Sequence, residues 1–121
     1  MQEADLVRLR HMLDAALETM EFVRGRTRGD LDKDRQLVLA LVKEAEIIGE
    51  AANQLSPATR GGAPEIPWED IIGMRHRLVH AYFDINLDIL WQTVREDFPG
   101  LVADLRPLIE CMGLDEDELP E

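Results

Sequence analysis

The fold is decided by residues 38–55, which read VLALVKEAEIIGEAANQL. Apolar residues recur in this segment every three or four positions, which is the spacing of one face of an α-helix. They are Val38, Leu41, Ala45, Ile48, Ala52 and Leu55. Ile47 and Ala51 add a second apolar edge. We therefore predict a central helix over about residues 31–55 that contacts more than one neighbouring helix.

The same spacing predicts a helix before this segment and another after it. The first covers roughly residues 3–24, and its apolar stripe consists of Leu6, Leu9, Leu13, Ala16, Met20 and Val23. Between these two helices, Gly25 and Gly29 bracket an Arg-rich turn, and Asp30 is a candidate N-cap. After the central helix, residues 57–66 are rich in Gly and Pro and predict a loop. The third helix begins at Pro67 and fades near Ala81; its apolar face carries Ile71, Met74, Leu78 and Tyr82.

The last helical stretch follows Asn86, a candidate N-cap, and contains an interruption. Its apolar stripe is Leu87, Leu90, Val94, Leu101, Leu105 and Ile109. Because Asp97-Phe98-Pro99 breaks the pattern, we predict one helix to about residue 97 and another over about residues 99–112. No segment shows a sustained strand alternation. The fold class is therefore all-α, an up-down four-helix bundle with the last helix broken near Pro99.

Length and charge bound the organisation of the chain. With 121 residues we expect one domain, over residues 1–112, and an acidic, flexible tail over residues 113–121. The net charge of −12 argues against a general nucleic-acid binder held by phosphate neutralisation. Local basic clusters do occur, and they comprise Arg24, Arg26 and Arg28, and Arg75, His76, Arg77 and His80. An acidic protein with a basic cleft suits recognition of a small part of a nucleic acid or docking to a basic partner.

Sequence features also indicate the compartment. The single Cys111 excludes an internal disulfide and fits a reducing cytosol. No apolar run approaches the roughly 20 residues needed to span a bilayer. Charged residues at positions 3, 5 and 8 break up any signal peptide. We therefore expect a cytoplasmic protein with no membrane association.

The segment Gly73–Asp84, which reads GMRHRLVHAYFD, carries the candidate chemistry. Arg75 supplies a planar cation that can hold a phosphate through two parallel hydrogen bonds. His80 can give or take a proton near neutral pH. RNA carries its own nucleophile in the 2′-hydroxyl, so an enzyme need only move protons and stabilise charge on the phosphorus. Tyr82 would position the RNA or donate a proton.

Residue chemistry alone leaves a structural alternative open. Arg75 could pair with a carboxylate such as Glu46 or Asp84, His80 could stabilise a helix end, and Tyr82 could belong to the core. If the helix continues through the motif, Arg75 and His80 lie about 140° apart around its axis, and His76 and Arg77 share a face with His80. We expect His76 and Arg77 to support the site. Glu46 and Glu50 share a face of the central helix, either as a solvent-exposed salt-bridge ladder or as part of a cleft.

The wider sequence resembles the HepT-like HEPN family of ribonuclease toxins. The resemblance rests on PWEDIIGMR at residues 67–75, LVHAYFDI at 78–85, LDILW at 87–91 and EIIGEAANQLS at 46–56. It implies a HEPN-like helical fold and a metal-independent endoribonuclease with an Arg-x4-His-x-Tyr site, formed here by Arg75, His80 and Tyr82. It also implies a homodimer whose cleft contains the site. His76 departs from the family pattern, which commonly has Asn after the Arg, and this puts the rate and pH optimum in question.

The resemblance further implies partners and regulation. The family belongs to type VII toxin-antitoxin systems, in which an MNT nucleotidyltransferase antitoxin neutralises the toxin by AMPylation of the motif tyrosine, here Tyr82. An AMP group there would place an anion beside Arg75 and compete with the RNA phosphate. We expect no metal ligands and no cofactor. The alternative is a non-catalytic helical dimerisation module that binds a nucleotidyltransferase partner.

Overall fold

The computed structural model describes residues 3–81 and 84–117, with the side chains of residues 80, 81 and 114–117 outside that description. Its first elements are the helices α1 (Glu3–Phe22), α2 (Asp30–Lys33), α3 (Arg35–Asn53), α4 (Pro57–Gly61), α5 (Trp68–Ile72) and α6 (Met74–Leu78). They are followed by two short strands and a last helical stretch, namely β1 (Val79–Ala81), β2 (Asp84–Ile85), α7 (Leu87–Gln92), a π-helical segment (Thr93–Asp97) and α8 (Phe98–Asp117).

These elements form four helical passes around one core, which confirms the predicted all-α bundle. Helix α1 packs against α3 and α8, and α3 also packs against α5 and α6. The predicted apolar stripes meet in the interior, where the largest fully buried side chains include Leu9, Met12, Leu41, Ile48, Leu78, Leu90, Phe98 and Leu105. Full burial of such a side chain stabilises the fold by about 1.5–3 kcal/mol, so the stripes account for the association of the helices.

The central helix begins later than the sequence indicated. Asp34 has an extended backbone with φ −118°, and its side chain accepts a hydrogen bond from the amide of Leu37 at 3.0 Å. Asp34 is therefore the N-cap of α3, and the hydrogen bond from Leu37 lowers the pKa of its carboxyl. The predicted single helix over residues 31–55 is thus divided into α2 and α3. The predicted cap at Asp30 is wrong, because Asp30 already lies in α2 and accepts a hydrogen bond from the amide of Thr27.

The predicted loop over residues 57–66 contains the short helix α4, which is fixed to α1 by a buried carboxylate. Asp5 is 2% exposed and accepts hydrogen bonds from Ser56 Oγ and Thr59 Oγ1, both at 2.6 Å. Burial alone would raise the pKa of Asp5, but these hydrogen bonds outweigh it and the pKa lies below its ordinary value. The start of α1 is thereby tied to the exit of α3.

The third helical pass differs most from the prediction. Gly73 divides it into α5 and α6, and α6 ends at Leu78 instead of near residue 81. Val79–Ala81 is extended and pairs antiparallel with Asp84–Ile85, and the Asn86 amide donates to Leu78 O at 2.8 Å. The sequence did not indicate this hairpin, because strands of three and two residues are too short to show an alternation.

The last pass is continuous, and its predicted interruption is a change of helix type. Asn86 caps α7 by accepting a hydrogen bond from the amide of Ile89 at 3.0 Å, as predicted. The irregularity expected near Pro99 is the π-helical segment, and α8 follows it directly and continues through Pro107 to Asp117. Helix α8 therefore extends into the predicted acidic tail; residues 118–121 lie outside the described residues, and the flexibility of the tail stays a prediction.

Glu44 is a buried carboxyl in α3 whose environment makes stability depend on pH. It is 5% exposed, and within the described part of the chain its Oε2 has no hydrogen-bond partner. Burial, together with a hydrogen bond and charge repulsion from Glu18, raises its pKa from 4.5 to about 7. The folded state therefore binds this proton more tightly than the unfolded chain does.

We predict that Glu44→Gln removes a pH dependence of stability. Because the pKa of Glu44 is raised on folding, its favourable contribution is present below pH 4.5 and is lost as the pH rises through about 7. Glutamine keeps the shape and cannot ionise, so the variant should be more stable than the wild type at pH 8. Urea unfolding from pH 5 to pH 8 measures this, with the exposed Glu110→Gln as control. An unchanged pH profile in Glu44→Gln would contradict the assignment.

Candidate active-site groove

The predicted motif borders a groove between α3 and the α5–α6 pair. The groove has a volume of about 440 Å³, and its walls are formed by Ala45, Glu46, Gly49, Glu50, Asn53, Gln54, Ile72, Arg75 and His76. Gly49 allows α3 to approach α5 closely, because a Cβ at this position would lie 3.1 Å from Ile71 O.

Arg75 enters this groove and makes an ion pair with the central helix. Its Nε donates to Glu46 Oε2 at 3.0 Å, and the two side chains are 56% and 32% exposed. This is the carboxylate pairing that residue chemistry left open. The contact occupies one donor of a guanidinium that has five. Within the described residues, no other hydrogen bond or ion pair engages Arg75.

Glu46 and Glu50 of α3 line the groove instead of forming a separate surface ladder. Glu46 holds Arg75, and Glu50 lies one turn further along the same wall. Together they place negative charge beside the Arg75 cation. A phosphate that binds here must therefore compete with Glu46 for the guanidinium or use its remaining donors.

The structure separates two residues that were expected to act together. His76 is exposed and lines the groove beside Arg75. Arg77 lines a different groove, and its Nη1 lies 3.8 Å from Asp70 Oδ1. The expected shared face of His76, Arg77 and His80 is wrong, because α6 ends at Leu78 and helical geometry no longer relates His80 to the other two.

The remaining motif residues, His80 and Tyr82, come after the end of α6 in the chain. The backbone of His80 lies in β1, two residues after the end of α6, and its side chain is not described. Tyr82 lies outside the described residues. Arg75 and His80 are therefore not related by the angle of about 140° that an unbroken helix would give. The catalytic roles of His80 and Tyr82 stay predictions.

A second cavity adjoins the groove and contains residues that the sequence did not single out. It has a volume of about 590 Å³ and includes Arg8 and His11 of α1, and it shares Glu50 and Gln54 with the first groove. Arg8 Nε donates to Gln54 Oε1 at 3.1 Å. In the sequence, Arg8 and His11 are three residues apart on the polar side of α1. This spacing puts both residues on one helix face and could have indicated them.

Two further observations concern metal ions and membranes. In the part of the chain that the structure describes, no group of three or more His, Cys, Asp or Glu side chains is placed to hold a metal ion. Among residues 3–81 and 84–117, no helix is both long and apolar enough to cross a bilayer.

Comparison with known proteins identifies the family. Residues 12–108 match the family described as ribonuclease HepT-like. The chain is 35% identical over 102 residues to a predicted RNase of Caldanaerobacter subterraneus subsp. tengcongensis, covering 84% of this chain and 91% of that protein. It is 40% identical over 81 residues to a protein of Thermococcus cleftensis named probable ribonuclease HepT, covering 67% and 74% of the two chains. No solved structure matches the chain.

The chain therefore belongs to the HepT-like ribonuclease family. A predicted RNase of Methanocaldococcus jannaschii is similar as well, at 32% identity over 90 residues, with 74% of this chain and 83% of that protein covered. The family match includes α3, the groove and the segment with Arg75 and His80. The resemblance found in the sequence is thus confirmed, and the protein is a ribonuclease by family.

We predict that the Arg75–Glu46 pair contributes little to folding. Both side chains are substantially exposed, so solvent screening limits their coupling energy to about 0–1 kcal/mol. A double-mutant cycle with Arg75→Ala and Glu46→Ala, measured by urea unfolding, gives that coupling directly. A coupling above about 2 kcal/mol would indicate a structural pair, and losses of activity in these variants would then not report on the groove alone.

Proposed function

We propose that the protein is a metal-independent endoribonuclease that acts as the toxin of a type VII HEPN/MNT toxin-antitoxin system. In this proposal the RNA 2′-hydroxyl attacks the adjacent phosphorus, and the products are a 2′,3′-cyclic phosphate and a free 5′-hydroxyl. Proton transfer and charge stabilisation are then sufficient for cleavage. The observation that carries the proposal is the position of Arg75, half-exposed in a groove, with only its Nε engaged among the described contacts.

Arg75 is the group that stabilises charge on the phosphate. A guanidinium presents parallel N–H donors that match two phosphate oxygens, and a lysine ammonium cannot reproduce this geometry. Glu46 accepts a hydrogen bond from Nε, so in this proposal it orients the guanidinium while the terminal donors contact the phosphate. His76 borders the same groove and is available to contact the RNA backbone, in keeping with the supporting role expected of it.

His80 and Tyr82 complete the proposed Arg-x4-His-x-Tyr site. His80 acts as general acid or base on the attacking or leaving oxygen, because its ordinary pKa lies near neutrality. Tyr82 positions the RNA or donates a proton. Support for these roles comes from the family membership and from the sequence motif, which places both residues within seven positions of Arg75.

A homodimer would enclose the site. The groove of one chain is open along α3, and the adjoining cavity exposes apolar side chains, with Val7 47% and Ile47 36% exposed. A second copy packed against this region would cover apolar surface and bring two motif segments to one cleft. Arg8 and His11 would then lie at the edge of that cleft and extend the surface available to RNA.

The proposed control of the toxin is covalent. A cognate MNT nucleotidyltransferase antitoxin adds AMP to the Tyr82 hydroxyl, and the new anion competes with RNA for Arg75. We place this system in the cytoplasm, in line with the single cysteine. The alternative function, a non-catalytic dimerisation module that binds a nucleotidyltransferase, is favoured by one observation: Glu46 already pairs with Arg75.

We predict that purified protein cleaves RNA in the presence of EDTA and leaves 2′,3′-cyclic phosphate ends. His80→Ala should abolish cleavage, because it removes the proposed general acid or base. Arg75→Lys should reduce kcat by about 100-fold or more, since a preorganised charge-stabilising donor contributes that much to the rate. Mass spectrometry of the fragments identifies the ends, and circular dichroism checks the fold.

Arg77→Lys is the matched comparison for Arg75→Lys, because Arg77 lies two residues away and lines another groove. It should retain most of the activity. Equal losses in both variants would show that the loss is not specific to the Arg75 groove, because both substitutions keep the positive charge and remove a guanidinium. Cleavage by His80→Ala at the wild-type rate would remove the nuclease mechanism and leave the dimerisation module.

We predict a homodimer in solution. A second copy should cover the exposed apolar side chains of Val7 and Ile47. The double variant Val7→Glu with Ile47→Lys should therefore weaken dimer association and lower ribonuclease activity together. Light scattering at micromolar concentration measures the mass. Phe22→Glu is the control, since Phe22 is also 36% exposed and lies outside both cavities. A wild-type monomer that cleaves RNA would contradict the composite cleft.

We predict that Tyr82→Phe retains the fold and part of the cleavage activity but escapes the antitoxin. The substitution removes the hydroxyl that would accept AMP. Co-expression with the cognate nucleotidyltransferase, followed by mass spectrometry of this chain, should show the mass of AMP on the wild type alone. If the wild type gains no AMP, or Tyr82→Phe gains it equally, the proposed control does not operate through this residue.

A further inference from the structure

A third cavity, distinct from the two described above, is a groove between the α5–α6 pair and the start of α8, on a different side of α6 from Arg75. Its volume is about 320 Å³. The floor is apolar and well packed, and it is made of Ile71, Met74, Phe98 and Leu101, which are 8%, 3%, 2% and 6% exposed. An apolar side chain that enters this groove would therefore meet a preformed surface.

The rim of this groove is strongly acidic. Asp70, Glu96, Asp97 and Asp104 surround the floor, against the single cation Arg77. Arg77 lies 3.8 Å from Asp70, and within the described residues the other three carboxylates form no ion pair. Among the described residues, Arg95 forms no ion pair with these carboxylates, and its guanidinium lies 5.5 Å from the centroid of the Trp91 ring.

The apolar floor and the acidic rim together determine which kind of ligand fits this groove. Uncompensated carboxylates around an apolar floor favour a ligand with cationic side chains beside an apolar one, and they repel RNA phosphates. In a second copy, Arg24, Arg26 and Arg28 already form ion pairs with acidic residues of their own chain, and they would have to exchange these pairs for the rim carboxylates. A partner whose cations need no such exchange is the better complement to the rim.

We propose that this groove binds a basic amphipathic segment of a partner protein. An apolar side chain of the segment rests on Ile71, Met74 and Leu101, and its Lys or Arg side chains face Glu96, Asp97 and Asp104. Gly100 leaves space at the rim for the backbone of the segment, since a Cβ at this position would have no neighbour within 4 Å. The π-helical segment contributes Glu96 and Asp97, and such segments are frequent at functional sites.

This surface is independent of the proposed ribonuclease mechanism. It shares no lining residue with the Arg75 groove, and its test contains no RNA. It does lie against the motif segment, because Ile71 and Met74 flank Gly73 between α5 and α6. A bound partner would therefore contact the element that positions Arg75 without occupying the Arg75 groove.

The test uses a synthetic peptide with Leu at helical spacing and Lys at the remaining positions, titrated into the full chain labelled for NMR. The methyl signals of Ile71, Met74 and Leu101 should shift together, and the affinity should fall as salt screens the rim charges. A Lys–Ser peptide of equal charge without Leu should bind much more weakly, because it has no side chain for the floor.

Two variants assign the binding to the groove. Asp97→Lys with Asp104→Lys should weaken the Leu–Lys peptide by about tenfold, since two attractions become repulsions. Gly100→Arg should also weaken it, because the new side chain fills the rim. The matched control is Asp14→Lys with Glu110→Lys, two exposed positions outside the groove that change the net charge equally. Equal weakening by the control, equal binding of the Lys–Ser peptide, or an absence of shifts at the floor would overturn the proposal.

Discussion

The approach of α3 to α5 at Gly49 is the constraint on which the candidate active site depends. A Cβ at Gly49 would lie 3.1 Å from Ile71 O and 3.7 Å from Ile72 O, so any larger residue would displace the start of the motif segment. The same approach brings Arg75 Nε within 3.0 Å of Glu46 Oε2, and Glu46 lies about one turn before Gly49 on α3. Close packing of two backbones therefore sets the width of the groove and the orientation of its cation.

Part of the positive charge of this acidic protein is paired within the chain. In the described structure, Arg24, Arg26 and Arg28 each lie in an ion pair with a carboxylate of the same chain. Arg75 is engaged through one donor only. In the proposed mechanism, the attraction for the scissile phosphate falls on Arg75, while the acidic rim near α8 of this chain with net charge −12 repels RNA.

The sequence predicted the helical passes well, because they rest on apolar periodicity over many residues. Leu41, Ile48 and Leu105 were placed in the core and are buried, and the cap at Asn86 was identified correctly. The early end of the motif helix was missed. Leu78, Val79 and Tyr82 continue a helical pattern, but a two-strand hairpin a few residues long overrides it through tertiary hydrogen bonds such as Asn86 N to Leu78 O. Local spacing cannot reveal such a competition. For the same reason the sequence identified Arg75 and its pairing options but misjudged the direction of Arg77.

The boundary at Leu78 means that the motif spans two units of different local stability. Arg75 belongs to a helix that packs on α3, whereas the backbone of His80 belongs to a hairpin of a few residues, which is marginally stable by itself. Amide hydrogen exchange should therefore be slower at Leu78 than in β1. If the hairpin opens while the bundle stays folded, the backbone of His80 is released from the helix that carries Arg75. In the proposed mechanism this would be a reversible route to an inactive state that costs only the free energy of a local opening, and thermal unfolding of the bundle would not detect it.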